Sequence, residues 1–250
     1  MGMEPFLPSA ASLDPKPIIL CLHGGGTNSR IFTVQTARIR RSLAQHFNFV
    51  FLDGPVQAPP GPGVLPFYEG FDPYVRWVPR DIKFHNSEQR AVEVKKIEKE
   101  LDRSLDEQLA KMDLPEKIVG VMGFSAGGAM AYELLHRKQR LLLGTEKHQG
   151  ANKAWHDLQF GIHINPVMAP WGGLREERLV KVSLPTVHVH GLQDKEWVPK
   201  SREFTTKYFK EGTVKVLELG TGHHMPHEDA DMKTLVQGIL QVSEAAKMYQ

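Results

Sequence analysis

"VGVMGFSAGGAMAYELL", residues 119–135, runs from apolar and β-branched residues through a glycine-bracketed serine into a helical pattern. Its centre, Gly123-Phe-Ser125-Ala-Gly127, matches G-x-S-x-G between a buried strand and a helix. A serine in so tight a turn needs neighbours without side chains two positions before and after it, because the backbones would otherwise collide. The pattern predicts that Ser125 is a nucleophile lifted clear of a sheet. The alternative is a small residue where a strand meets a helix.

A serine nucleophile needs an acid and a base later in the chain, in the order serine, acid, histidine. Asp194 ends a proposed strand in "TVHVHGLQD", and His223 follows the last proposed strand in "LGTGHHMPHED". A neutral imidazole that titrates at about pH 6.5 suits removal of the hydroxyl proton, and Asp194 would fix its tautomer. The spacing leaves alternatives open, namely Glu196, Asp229 and Asp231 for the acid and His224 and His227 for the base.

Two backbone amides are candidates for an oxyanion hole. Ala126 presents its N–H at the start of the helix after the serine, where the helix dipole favours negative charge. The loop "LHGGGTNSR" (22–30) is of the His-Gly-Gly-Gly type, and Gly25 is the expected second donor. A phosphate-binding loop is the rival interpretation, but the Lys-Ser/Thr of a P-loop and the G-x-G-x-x-G spacing are both missing.

Short apolar segments alternate with longer amphipathic ones, which is typical of an α/β fold with a mostly parallel sheet flanked by helices. The proposed strands are 17–24, 47–54, 117–125, 160–167, 186–194 and 213–220. The proposed helices are 31–46, 87–112, 126–139, 199–210 and 230–247. With 250 residues, 41% of them hydrophobic, we expect one domain over residues 1–250.

One long stretch, "VQAPPGPGVLPFYEGFDPYVRWVPRD" (56–81), interrupts the alternation. Its six prolines exclude a long helix and confine any strand to an edge, while its aromatic residues argue against disorder. We expect residues 56–85 to form a loop or lid that lines the substrate pocket. Candidate pocket residues, each with core packing as the alternative, are Phe67, Tyr68, Tyr74, Trp77, Trp171 and Trp197.

Composition and charge argue against several classes of function. A net charge of +2, from 31 basic and 29 acidic residues, gives no electrostatic case for nucleic acid. Neither a signal-peptide pattern nor an apolar run of about 18 residues is evident, so we expect a protein without a membrane partner. The single cysteine, Cys21, fits a reducing compartment, here the cytoplasm. His188 and His190 share a strand face without a third ligand at metal-site spacing, so we expect no metal and no cofactor.

The chain resembles the FSH-type serine hydrolases, an α/β-hydrolase family abundant in fungi. The resemblance rests on "ILCLHGGGTNSRIF", "FVFLDGPV", "GFSAGGAMA", "GLQDKEWVP" and "GTGHHMP", in that order. It implies an α/β-hydrolase fold, selects His223 over His224 through a Gly-His-x-x-Pro pattern, and supports Asp194 ahead of Val198-Pro199. The segment "FDPYVRWV" is similar to a Gly-Pro-Tyr-x-x-Trp-type segment of the family, with Asp72 near the expected glycine.

The resemblance also implies a function. It points to a serine esterase or thioesterase that takes a small acyl ester or thioester. Some fungal members act beside polyketide synthases in secondary metabolism and release the chain from its carrier thioester, which makes an acyl-carrier domain a candidate partner. Arg76, Arg80 and Lys83 are a candidate docking patch, with ordinary solubilising charge as the alternative. Two other functions stay open: an acyltransferase with the same triad, and a binding protein that has lost catalysis.

Overall fold

Six parallel strands form the central sheet in a computed structural model that describes residues 16–79, 87–114, 116–145, 155–167 and 180–248. The strands are β1 (Ile18–Leu22), β2 (Asn48–Leu52), β5 (Ile118–Phe124), β6 (Phe160–Ile164), β7 (Thr186–Gly191) and β8 (Val214–Leu219), in the spatial order β2-β1-β5-β6-β7-β8. All five pairings are parallel, which confirms the expected sheet. Trp171, Arg80 and Lys83 lie outside the described residues.

Helices cover both faces of the sheet. They are α1 (Ser29–Gln35), α2 (Ala37–Leu43), α3 (Ser87–Ala110), α4 (Ala126–Leu142), α5 (Val198–Tyr208) and α6 (Asp229–Lys247). Side chains alternate along a strand, so Leu20 of β1 packs in the hydrophobic cluster that contains residues of α3, α4 and α5, while Ile19 packs in the one that contains residues of α1, α2 and α6. Burial on both faces explains why β1 and β5 are continuous apolar runs, whereas the edge strand β8 carries the exposed Lys215 and Glu218. None of the helices in the described ranges combines the length and apolar character needed to cross a membrane.

Among the differences from the predicted element boundaries, three coincide with specific backbone features. The helix expected at 31–46 is two helices, α1 and α2, because the backbone departs from helical geometry at buried Thr36 (φ −95°, ψ 5°), whose hydroxyl donates to the carbonyl of Phe32 (2.7 Å). The strand expected at 186–194 ends at Gly191, and Asp194 closes a turn by donating its N–H to the Gly191 carbonyl (2.9 Å). The strand expected at 160–167 ends where Asn165 takes a left-handed conformation with φ 45°.

The proline-rich stretch contains two short strands, β3 (Val56–Gln57) and β4 (Val75–Arg76), which pair antiparallel with each other in a separate sheet. Backbone hydrogen bonds attach this ribbon to the glycine loop after β1. The Val75 carbonyl accepts from Gly26 N–H (2.9 Å), and Val75 N–H donates to the Thr27 carbonyl (2.8 Å). The ribbon therefore holds the glycine loop from outside the main sheet.

Three buried histidines lie on β6 and β7, and each forms a hydrogen bond through Nδ1. His163 pairs with the carbonyl of Gly128 (3.1 Å), His188 with the Thr205 hydroxyl (2.7 Å), and His190 with the hydroxyl of Ser201 (2.7 Å). Within the described ranges, no three His, Cys, Asp or Glu side chains are grouped so that they could hold a metal ion. Burial lowers the pKa of His163 to about 3 and that of His190 to about 4.

These neutral histidines predict that the protein loses stability in mild acid. The unfolded chain binds a proton at His190 below about pH 6.5, whereas the folded chain does so only below about pH 4, so the free energy of unfolding falls between these values. Urea unfolding of His190→Gln should remove about 2 kcal/mol of the loss between pH 7 and pH 5. His227→Gln, at an exposed histidine, should leave the loss unchanged. An equal pH dependence in all three proteins would contradict this account.

Candidate active site

Ser125 sits in the turn between β5 and α4 with φ 53° and ψ −119°, a conformation that non-glycine residues rarely adopt. Backbone hydrogen bonds hold it on both sides. Its N–H donates to the Ile164 carbonyl (3.0 Å), and its carbonyl accepts from Gly128 N–H (2.9 Å) and Val167 N–H (3.2 Å). Strain of this kind costs about 1–3 kcal/mol and persists only where the surroundings enforce it.

The glycines on either side of Ser125 are required by close backbone contacts. A Cβ added at Gly123 would overlap the carbonyl of Gly127, and a Cβ added at Gly127 would overlap the carbonyl of Leu22 on β1. Both obstacles are main-chain atoms of buried elements, which cannot move aside as a side chain would. The spacing of the motif therefore follows from the packing of the turn against itself and against β1.

A hydrogen-bonded chain of three side chains starts at Ser125. The Oγ of Ser125 lies 2.9 Å from Nε2 of His223, and Nδ1 of His223 lies 2.5 Å from Oδ2 of Asp194. The carboxylate is buried and can only accept, so the Nδ1 proton points to it and Nε2 is left with a lone pair toward the serine hydroxyl. This is the tautomer that a general base needs.

The competing candidates lie elsewhere. His224 directs Nδ1 at the carbonyl of Met225 (3.0 Å), and His227 is exposed beside Glu228 (3.2 Å). Asp229 forms an ion pair with Arg38. The structure thus brings His223, rather than its neighbours, to Ser125.

The glycine loop after β1 is organised by His23, a buried residue whose role the sequence analysis missed although it begins the His-Gly-Gly-Gly pattern. Its Nε2 accepts from Gly54 N–H (3.0 Å), so its proton is on Nδ1 and is donated to the Gly24 carbonyl (2.7 Å). The hydroxyl of Thr27 donates to the same oxygen (2.6 Å). Burial lowers the pKa of His23 and so favours this neutral form.

The two hydrogen bonds to the Gly24 carbonyl also orient the N–H of Gly25, because both groups belong to the same peptide plane. In a trans peptide the C=O and N–H point in opposite directions, so the N–H of Gly25 is turned away from His23. A Cβ added at Gly25 would lie 3.7 Å from the Cβ of Ala126, which shows that the two candidate donors are neighbours. Among the described residues, no loop, turn or cap hydrogen bond uses either amide as a donor.

The pocket candidates fall into different environments. Trp77, expected in the pocket, is instead a core residue: it is 2% exposed, stacks on His23 beneath the glycine loop and donates its indole N–H to the His23 carbonyl (2.8 Å). Phe67 is 82% exposed, and the half-buried Tyr74 donates its hydroxyl to the Tyr68 carbonyl (2.7 Å) within the loop. Trp197 is half-buried, with its ring centroid 6.0 Å from that of His223.

The chain is similar to known proteins in both sequence and fold. The family model described as "Serine hydrolase (FSH1)" matches residues 13–235. The chain is 33% identical over 211 residues to "Esterase FUS5" of Gibberella fujikuroi, covering 84% of this chain and 80% of that protein. It is 27% identical over 256 residues to "Thioesterase FSL2" of Gibberella zeae, covering 92% and 94%. The crystal structure of Zea mays acyl-protein thioesterase 2 superposes with a TM-score of 0.56 at 16% identity, covering 92% of this chain and 95% of that one, which shows the shared α/β-hydrolase fold.

The glycine contacts predict that Gly127→Ala destabilises the protein by about 3 kcal/mol, because the added methyl group meets buried backbone. Gly220→Ala is the matched control, since a Cβ there has no atom within 4 Å. The control should leave the free energy of unfolding unchanged or raise it by up to about 1 kcal/mol. Urea unfolding measures both, and equal stabilities of the two variants would refute the packing explanation.

Proposed function

Because the chain belongs to the FSH1 serine hydrolase family and is an enzyme of the esterase type, we propose that Ser125, His223 and Asp194 form its catalytic triad and that an acyl-serine is its intermediate. The observation that carries the proposal is the hydrogen-bonded chain from Ser125 Oγ through the imidazole to Asp194, at 2.9 Å and 2.5 Å. Both distances are within the reach that proton transfer and imidazole orientation need. The substrate is an acyl ester or thioester.

In the first half-reaction, Nε2 of His223 takes the proton of Ser125 as Oγ attacks the substrate carbonyl carbon. The carbonyl oxygen becomes an oxyanion, which accepts from the N–H groups of Gly25 and Ala126. One such donor is worth about 3 kcal/mol of barrier. When the tetrahedral intermediate collapses, the imidazolium gives its proton to the departing alcohol or thiol, and the acyl group stays on Ser125.

In the second half-reaction, His223 removes a proton from water, and the resulting hydroxide attacks the acyl carbon. Collapse of this second intermediate releases the carboxylic acid and returns the proton to Ser125. Asp194 stabilises the imidazolium in both halves without taking its proton. The buried position of the carboxylate, 8% exposed, strengthens this electrostatic contribution.

The leaving group of the substrate is an alcohol or a thiol. Relatives are named both esterase and thioesterase, which supports either oxygen or sulfur as the leaving atom. Release of an acyl chain from a carrier-protein thioester in secondary metabolism is one such reaction. Of the candidate docking patch for the carrier, the structure describes Arg76, which is half-buried on β4 beside the glycine loop.

The single cysteine supports a reducing compartment, and we propose the cytoplasm.

Substitutions in the triad test the proposal through hydrolysis of an aryl ester. Ser125→Ala and His223→Ala should each lower kcat by about 10⁶-fold, because they remove the nucleophile and its base. Asp194→Asn should lower kcat by about 10⁴-fold, because the amide stabilises the wrong imidazole tautomer. Glu196→Gln changes an exposed acid two residues away and should leave kcat unchanged. Wild-type turnover in Ser125→Ala, or a larger loss at Glu196 than at Asp194, would refute the assignment.

A further inference from the structure

Asn165, just after β6, is a buried residue that no sequence motif marks. It is 2% exposed, and its backbone adopts φ 45°, in the left-handed region. It lies between two parts of the site, because β6 is the neighbour of β5, which ends at Ser125, and of β7, which leads to Asp194. A polar side chain in this place is costly unless every hydrogen-bonding group is satisfied.

The amide of Asn165 is satisfied entirely by backbone groups. Its Oδ1 accepts from Gly191 N–H at the end of β7 (2.7 Å). Its Nδ2 donates to the carbonyls of Gly222 (3.1 Å) and His224 (3.4 Å). These two carbonyls belong to the residues on either side of His223. An N–H on one side and two carbonyls on the other fix the orientation of the amide.

The short segment 164–167 that carries Asn165 also holds the nucleophile. Ser125 N–H donates to the carbonyl of Ile164 (3.0 Å), and Val167 N–H donates to the carbonyl of Ser125 (3.2 Å). Two residues of this segment, Ile164 and Val167, therefore bond the backbone of Ser125, and the side chain of Asn165 bonds the loop that carries His223 (residues 220–226, the histidine loop).

The histidine loop also packs directly on the end of β7. A Cβ added at Gly191 would lie 2.6 Å from the carbonyl of Gly222 and 2.7 Å from that of Thr221. A backbone hydrogen bond from Gln193 N–H to the carbonyl of Thr221 (3.0 Å) also holds the loop two residues before His223. Asn165 reaches both the residue before His223 and the residue after it, so it constrains the loop where the imidazole emerges.

We propose that Asn165 is a positioning residue that sets the distance between Ser125 Oγ and His223 Nε2. The inference rests on the proposed function of these two residues. A base must lie within about 2.6–3.2 Å of the proton that it removes, and a misplacement of about 1 Å can cost 10²-fold in rate. Asparagine suits the position because it tolerates φ > 0. Its side chain also offers one oxygen that accepts and one NH₂ group that donates two hydrogen bonds.

Asn165→Gly isolates the amide, since glycine adopts the same backbone without strain. We expect kcat for an aryl ester, and the rate at which a fluorophosphonate labels Ser125, to fall by about 10- to 100-fold, with KM within about twofold of wild type. Gln139→Ala is the matched control. It removes another buried amide, which accepts from the N–H (2.9 Å) and hydroxyl (2.7 Å) of Ser183. It should lower Tm and leave both rates unchanged.

Asn165→Asp keeps the volume and the hydrogen bond from Gly191, but sets an oxygen against two carbonyls. This variant should slow fluorophosphonate labelling of Ser125 at least tenfold, and it replaces Asn165→Gly in the test if that variant does not fold. Labelling at the wild-type rate in either folded variant, with a lowered Tm alone, would show that the amide is only structural and would overturn the inference. Failure of wild type itself to label at Ser125 would instead overturn the proposed function, and the inference with it.

Discussion

The hydrogen bond between Ser125 and His223 joins residues 98 positions apart in the chain, and the fold is what brings them together. The serine follows β5 and the histidine follows β8, with β6 and β7 between them. Because all these strands are parallel, their carboxyl ends meet at one edge of the sheet, and the turns after them converge.

The convergence depends on tight backbone packing beneath the site. Because Gly127 has no side chain, α4 can start in contact with β1. The Ile164 carbonyl accepts from the N–H of Ser125, whose backbone is strained. On the other side of the serine, His23 and Thr27 hold the Gly24 carbonyl, and with it the direction of the Gly25 amide. The proposed chemistry thus uses backbone groups whose orientation is enforced by buried side chains, so that little reorganisation accompanies formation of the oxyanion.

Sequence reasoning succeeded where a pattern is local. The central strands β1 and β5 are continuous apolar runs, and the glycines around Ser125 are close to it in sequence, so both could be recognised without tertiary information. It failed where the deciding partner is remote. Nothing in the proline-rich stretch indicates that Trp77 stacks on His23, which lies 54 positions earlier. Asn165 bonds residues 26, 57 and 59 positions away, and an Asn-Pro pair alone suggests only a turn. The break between α1 and α2 is a change of backbone dihedral angles at Thr36, which helix periodicity does not reveal.

The most direct measurement of the central claim is the mass of the protein after reaction with an aryl carbamate, whose carbamoyl-serine hydrolyses slowly, followed by peptide mapping. The account predicts one equivalent of phenol released for one carbamoyl group gained, with that group on Ser125. Stoichiometric release of phenol with the carbamoyl group on another residue, or on none, would contradict covalent catalysis by Ser125.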